Sequence, residues 1–209
     1  MALMDKQIII SIGRQCGSGG HIIGEKLAER YGIKLYDRNI IQLLAEDMET
    51  DTESLAKMEE RISGLLPKRK GGFDAKIKDL MNRLSKSDEM YLHERGLIER
   101  LAENESFVIV GRGANDVLAD HPNALRIFIY APEAFKIPIV KEKYSIEFDD
   151  DAVKKMAVED KARSEYYEYY TGRTWGGYDP HHLMIDSSLL GIDGTVDLIA
   201  SVVDKKFGL

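Results

Sequence analysis

The sequence is poor in cysteine and proline, with one cysteine and five prolines among 209 residues. The single cysteine, Cys16, excludes an internal disulfide and is typical of a protein from a reducing compartment. No apolar run approaches the length of about 18 residues that a membrane-spanning helix needs, and charges interrupt the first residues before a signal-peptide core forms. These absences predict a cytoplasmic protein without a membrane partner.

Positive charge is also in deficit, because 29 lysines and arginines face 36 acidic residues and leave a net charge of -7. This balance argues against nucleic acid as the main partner, so an anionic ligand would have to be met by local positive groups. Hydrophobic residues make up 44% of the chain and charged residues 31%. That composition is typical of a globular protein, and the length suits one domain.

Short apolar runs rich in β-branched residues alternate with helical patterns along the chain. Five runs predict strands, at 7–12, 33–36, 106–110, 125–130 and 183–187. Helices are expected between them, most clearly at 21–31, 149–170 and 193–207. This order predicts an α/β fold, a three-layer sandwich built on a five-stranded parallel sheet.

The stretch GRQCGSGG, residues 13–20, places four glycines between the first strand and the first helix. Backbone N–H groups and a helix N-terminus in that setting hold phosphate. The common phosphate-loop pattern G-x-x-x-x-G-K-[ST] fits in no register, and G-x-G-x-x-G fails because Ile22 stands where glycine is needed. Asp37 lies at about the spacing of a ribose-binding carboxylate, so a dinucleotide site stays open, as does a purely structural turn.

Four blocks in the sequence resemble the cytidylate kinase-like proteins, a branch of the P-loop nucleoside monophosphate kinases. GRQCGSGGHIIGEKLAERYGIKLYDR resembles the start of that family, with its G-R-x-x-G-S-G-G loop. VIVGRGANDVL (108–118) is similar to the G-R-D segment at the end of a strand. EDKARSEYYEYYTGRTW (159–175) is similar to the lid with its D-x-x-R, and HLMIDSSLLGIDGTVDLI (182–199) to the last strand and helix. The order of the blocks agrees over essentially the whole chain.

The resemblance implies one P-loop kinase-like domain over 1–209. Its core would comprise about 6–48 and 104–209, with a helical acceptor-side insert at about 49–103 and a lid at about 155–180. It further implies that ATP and Mg²⁺ are used to phosphorylate a small acceptor, with CMP or dCMP favoured. The long helical pattern at 74–103 leaves open whether the chain forms a homo-oligomer.

The same resemblance assigns roles to individual residues. The expected donor-phosphate residues are Gly17, Ser18, Gly19, Gly20 and His21. The expected catalytic residues are Arg14, Arg112, Arg163 and Asp37. The expected acceptor-binding residues are Arg38, Arg112, Asp160 and Arg163. No protein-built metal site is predicted.

Four departures from the family pattern affect these expectations. Glycine stands at the lysine position (Gly20), isoleucine at the hydroxyl position (Ile22), and glycine at the aspartate of G-R-D (Gly113). After the second strand the family continues D-[ST]-G, whereas this chain reads Asp37-Arg38-Asn39. A nucleotide-binding regulatory protein without catalysis is therefore an alternative, and a dinucleotide oxidoreductase is a more distant one. Asp160 and Arg163 also have the i, i+3 spacing of an ordinary helix-surface ion pair.

Overall fold

The computed structural model describes residues 7–37 and 86–209. The chain divides into two compact units, one comprising Met1–Asp37 with Leu101–Leu209 and the other Arg38–Arg100. The strands in the described residues are β1 (Ile9–Arg14), β2 (Lys34–Tyr36), β3 (Phe107–Val110), β4 (Ala124–Tyr130) and β5 (Leu183–Asp186). The helices there are α1 (Gly20–Tyr31), α2 (Lys86–Asn104), α3 (Ala114–Val117), α4 (Glu133–Tyr144), α5 (Asp149–Thr171) and α6 (Gly191–Phe207).

The five strands form one parallel sheet in the order β2-β3-β1-β4-β5. The central strand β1 pairs on both sides, so that Ile12 lies opposite Val110 of β3 and Ile127 of β4. A central parallel strand has both faces covered, which explains why its sequence is a continuous apolar run. The predicted five-stranded parallel sheet is confirmed.

One face of the sheet packs against α1 and α6. Ile10 and Ile12 of β1 meet Leu27 of α1 and Ile199 of α6 in a core cluster in which all four side chains are fully buried. Alternate residues of a strand point to opposite faces, and Ile9 is also fully buried, on the other face of the sheet. Both faces of β1 are therefore withdrawn from water.

Helix α3 covers the second face beside β1 and β4. The Asn115 side chain donates a hydrogen bond to the Ile127 carbonyl at 3.2 Å. A Cβ atom on Gly13 would lie 2.8 Å from the Phe128 ring and 3.0 Å from the Asn115 amide nitrogen. Helices thus lie on both faces of the sheet, which confirms the predicted three-layer arrangement.

Helices α4 and α5 pack together around a small core of their own. Val140 of α4 and Ala152 and Met156 of α5 are buried in it, together with Cys16 from the segment after β1. Pro138 lies inside α4, which nevertheless continues to Tyr144. The glycine-rich segment is therefore packed directly against the two helices that precede β5.

Candidate active site

The glycine-rich segment lies at the carboxyl end of β1, the strand at which the strand order reverses. From β1 the chain goes to β2 and β3 on one side of the sheet, then to β4 and β5 on the other. Ligands of open parallel sheets bind at such a switch point, outside the carboxyl ends of the strands. We call residues 15–19, between β1 and α1, the phosphate loop.

The phosphate loop is held by hydrogen bonds inside it and to β4. Gln15 donates its backbone N–H to the Ile129 carbonyl at 3.0 Å, and the Ser18 hydroxyl donates to the Gln15 carbonyl at 2.9 Å. Gly17 and Gly19 adopt left-handed conformations, with φ of 79° and 75°. Glycine takes this conformation without the steric cost that a side chain adds, so the loop conformation requires glycine there.

Helix α1 begins directly after this loop, with Gly19 as its N-cap residue. No side chain caps that end within the part of the chain that the structure describes. The first N–H groups of a helix lack partners inside the helix, and the helix dipole places partial positive charge there. The start of α1 can therefore bind an anion such as a phosphate.

Ser187, the residue after β5, ties the loop to the sheet. Its buried hydroxyl donates a hydrogen bond to the Ser18 carbonyl at 2.8 Å. We expect Ser187→Ala to lower the free energy of unfolding by about 1–3 kcal/mol, because a buried carbonyl loses its donor. Urea unfolding checks this, with Ser201→Ala on the exposed side of α6 as the control. Equal, small losses in both variants would contradict the expected role of Ser187.

Arg14, His21 and Asp37 come together at the carboxyl ends of β1 and β2. Arg14 Nη2 lies 3.6 Å from one carboxylate oxygen of Asp37, and His21 Nδ1 lies 3.0 Å from the other. His21 Nε2 is 3.2 Å from the carboxylate of Glu25. The structure thus joins three predicted site residues in one charged cluster at the start of α1.

The Arg14 side chain crosses the site between two glycines. A Cβ atom on Gly20 would lie 2.6 Å from the Arg14 Cβ atom, and one on Gly111 would collide with the Arg14 guanidinium. The positive charge of Arg14 therefore reaches the end of β3 rather than the lysine position of the loop.

Arg112 follows β3 at the same edge of the sheet. It has a left-handed backbone, with φ of 58°, between Gly111 and Gly113, which are also left-handed. This conformation costs a residue with a side chain about 1–2 kcal/mol. Such strained residues cluster at functional sites, so the backbone of Arg112 is consistent with its predicted role.

Asp160 and Arg163 lie on α5 and reach the phosphate loop. One carboxylate oxygen of Asp160 accepts hydrogen bonds from the Cys16 backbone N–H at 2.6 Å and from Arg163 Nη1 at 2.8 Å. Arg163 Nη2 also lies 3.3 Å from Glu159. The i, i+3 pair is therefore formed, and it also anchors α5 to the loop. A loop N–H group already binds an anionic oxygen in this arrangement.

Burial shifts the pKa values of two groups at this contact. Desolvation raises the pKa of the Asp160 carboxyl, and the Cys16 N–H bond and the Arg163 charge oppose that rise. Desolvation also raises the pKa of the Cys16 thiol, against the lowering effect of Arg163. A thiol with a raised pKa is a weak nucleophile at neutral pH, so Cys16 serves packing in this arrangement.

Lys136 of α4 is a cation beside the loop that the sequence patterns do not single out. Its Nζ atom lies 3.3 Å from the side-chain oxygen of Gln15. That oxygen also accepts the Ala131 N–H at 3.3 Å. Lys136 belongs to no recognised motif, and it lies 120 positions after Cys16 in the chain. Only the predicted position of α4, directly after β4, could have suggested it.

Two further expectations concern Arg38 and a metal ion. Arg38, expected to bind the acceptor, lies outside the described residues. Within 7–37 and 86–209 no group of three metal-ligating side chains occurs. Asp37 is the carboxylate beside His21, and its two oxygens lie 3.6 Å from Arg14 Nη2 and 3.0 Å from His21 Nδ1. Mg²⁺ commonly keeps several waters and binds through one or two carboxylates and substrate phosphates, a mode that needs no such group of side chains.

The strand order and the loop together define the class of the protein: it has the α/β fold of P-loop kinases. The chain belongs to the cytidylate kinase-like family, whose model matches residues 9–189. The family supports a nucleotide-binding, kinase-like function. No curated protein gives a significant match. None of the helices described here is long and apolar enough to span a membrane.

Solved structures with this fold include a protein of Eubacterium ventriosum, described as uncharacterized. It is 28% identical, with a TM-score of 0.70, over 95% of this chain and 99% of the other. Shikimate kinase from Bacteroides thetaiotaomicron is 13% identical, with a TM-score of 0.49, over 94% of this chain and 98% of its own. A gluconokinase from Sinorhizobium meliloti is 15% identical, with a TM-score of 0.48, over 95% and 94%. The first of these similarities supports the fold.

Proposed function

We propose that this protein is an ATP-dependent phosphotransferase of the cytoplasm that phosphorylates a nucleoside monophosphate, with CMP or dCMP favoured, or another small acceptor. The observation that carries the proposal is the uncapped start of α1 behind a glycine loop at the switch point of the sheet. Arginines lie on two sides of it, Arg14 at the end of β1 and Arg163 on α5. Phosphoryl transfer needs chiefly such positioning and positive charge.

In this proposal the loop amides and the start of α1 hold the donor phosphates. An acceptor oxygen attacks the γ-phosphorus of ATP, the bond from that phosphorus to the β,γ-bridging oxygen breaks, and ADP leaves with the electron pair. A hydroxyl acceptor releases its proton to solvent, whereas a phosphate acceptor has none to lose. Mg²⁺ bound to the phosphates would supply charge neutralisation, and Asp37 would hold it through water.

Arg112 is proposed to hold the acceptor phosphate at the end of β3, and Asp160 and Arg163 to act at the lid side. Arg38 is proposed to contribute to the acceptor site. We also propose that these residues belong to one domain. Its core comprises about 6–48 and 104–209, with an insert at about 49–103 and a lid at about 155–180. The partner is a small nucleotide, not nucleic acid or a membrane.

A regulatory nucleotide-binding protein is the second candidate function. One observation supports it: Arg14 and Arg163 lie beside the carboxylates of Asp37 and Asp160, which would compete with phosphate for these two positive charges. The dinucleotide alternative is disfavoured by topology, because β3 lies between β1 and β2. In the common dinucleotide fold β2 pairs directly with β1.

The test is ADP release from ATP and Mg²⁺ with a panel of nucleoside monophosphates and small alcohols. We expect acceptor-dependent release, and for Arg112→Ala a rise in the acceptor KM of about 10- to 100-fold, since a charged hydrogen bond is lost. ATP binding without acceptor-dependent release would support the regulatory function instead. Binding of NAD without ATP would contradict both candidates.

A further inference from the structure

We propose that Lys136 supplies the positive charge to the donor phosphates that the loop lysine supplies in ordinary P-loop proteins. The inference rests on the proposed function and concerns the same site. It answers the question left by Gly20: which side chain compensates for the lysine missing from the loop.

Position 20 itself cannot carry the missing group in this fold. A Cβ atom there would come within 2.6 Å of the Arg14 Cβ and 3.0 Å of its Cγ. Atoms at that separation overlap, so a lysine would displace Arg14. The charge has to come from another element.

Two arginines near the loop form ion pairs with carboxylates. Arg14 is directed to Asp37, and Arg163 lies 2.8 Å from Asp160 and 3.3 Å from Glu159. Opposite charges at these distances offset much of the field that a bound anion would experience. These arginines are therefore weaker sources of net positive potential at the donor phosphates.

Lys136 differs because its hydrogen-bond partner is a neutral amide oxygen, that of Gln15 at 3.3 Å. The side chain is half-buried, so water screens its charge less than that of a surface lysine. The Lys136 charge also lowers the pKa of the Asp160 carboxyl. Asp160 accepts the Cys16 N–H bond, so the Lys136 ammonium acts on a carboxylate that contacts the loop backbone.

Helix α4 is fixed against the loop at this point. A Cβ atom on Gly17 would lie 2.9 Å from both the Cβ and the carbonyl oxygen of Lys136. The contact places the backbone of Lys136 directly beside Gly17, within the loop that would hold phosphates. An ammonium on a flexible stem can exchange the weak bond to Gln15 for a stronger one to phosphate.

The test is calorimetric binding of ATP, inorganic triphosphate and adenosine to the wild-type protein and to Lys136→Met, Lys136→Arg and Lys141→Met. Methionine keeps the apolar stem, and Lys141 is a lysine of the same helix that pairs with Asp149 at 2.6 Å. We expect Lys136→Met to weaken ATP and triphosphate binding by roughly 10- to 100-fold. Adenosine binding and the melting temperature should stay unchanged, Lys136→Arg should recover most of the affinity, and Lys141→Met should match the wild type.

Wild-type ATP affinity in Lys136→Met would overturn the inference and leave the proposed function intact. An equal loss for adenosine and ATP would also overturn it, because the role would then be structural. If the wild-type protein binds neither ATP nor triphosphate, the proposed function itself fails. The outcomes therefore separate the two claims.

Discussion

Replacing Arg163 with alanine is expected to lower kcat for phosphoryl transfer by about 10³-fold, the lower end of the effect of losing an arginine at a transferring phosphoryl group. The Arg163 guanidinium donates to the Asp160 carboxylate oxygen that also accepts the Cys16 N–H, so Asp160 links Arg163 to the loop. In the transition state the charge on the phosphoryl oxygens is redistributed, and the Arg163 guanidinium would stabilise that charge. ATP affinity should fall much less than kcat.

The measurement is steady-state kinetics with ATP and the best acceptor, together with direct ATP binding. Lys161→Ala is the matched control, since Lys161 lies on the same helix, is largely exposed and pairs only loosely with Glu165, at 3.7 Å. It should keep the wild-type rate. A wild-type kcat in Arg163→Ala, or the same loss in Lys161→Ala, would contradict a catalytic role for Arg163.

Substitution of Gly17 with alanine is expected to lower the free energy of unfolding by about 2–5 kcal/mol. The left-handed backbone contributes about 1–2 kcal/mol to this loss, and overpacking contributes about 1–3 kcal/mol. The new methyl would lie 2.7 Å from a Val140 methyl and 2.9 Å from the Lys136 carbonyl oxygen. Because that oxygen belongs to the backbone of α4, the clash cannot be relieved by a side-chain rotation alone.

Gly32→Ala separates these two contributions. Gly32 ends α1 with φ of 61°, and a Cβ atom there would have nothing within 4 Å. Gly32→Ala should therefore lower the free energy of unfolding only by the cost of the left-handed backbone, about 1–2 kcal/mol. Urea unfolding of both variants measures the difference. Equal losses of unfolding free energy would show that α4 shifts to accommodate the new methyl at position 17, and would contradict the expected overpacking.

The sheet could be predicted from sequence because its strands are continuous apolar runs, while their exact ends depend on partners. Strand β1 was expected over 7–12 and is observed at Ile9–Arg14. Gly13 and Arg14 extend the strand because they pair with Phe128 and Ile129 of β4. Neither a glycine nor an arginine signals a buried strand, so the shift has no local signature.

The loop conformation was predictable in kind, since glycines at 17 and 19 indicate left-handed backbone and a helix start. The direction of the Arg14 side chain could not be predicted. It depends on the space left by Gly20 and Gly111 and on the attraction of the Asp37 carboxylate, which only the folded structure brings together. The Asp160 contact with Cys16 joins residues 144 positions apart. Such pairings arise from tertiary packing, and the spacing of Asp160 and Arg163 could predict only their local ion pair.

The contact between Arg14 and Gly20 makes these two positions depend on one another. A chain with lysine at position 20 and Arg14 retained would have two side chains competing for one volume. A variant with arginine replaced at 14 and no lysine would lose a cation and gain none. Conversion between the two kinds of phosphate loop therefore requires changes at both positions, and either change alone should impair the packing or the charge of the loop.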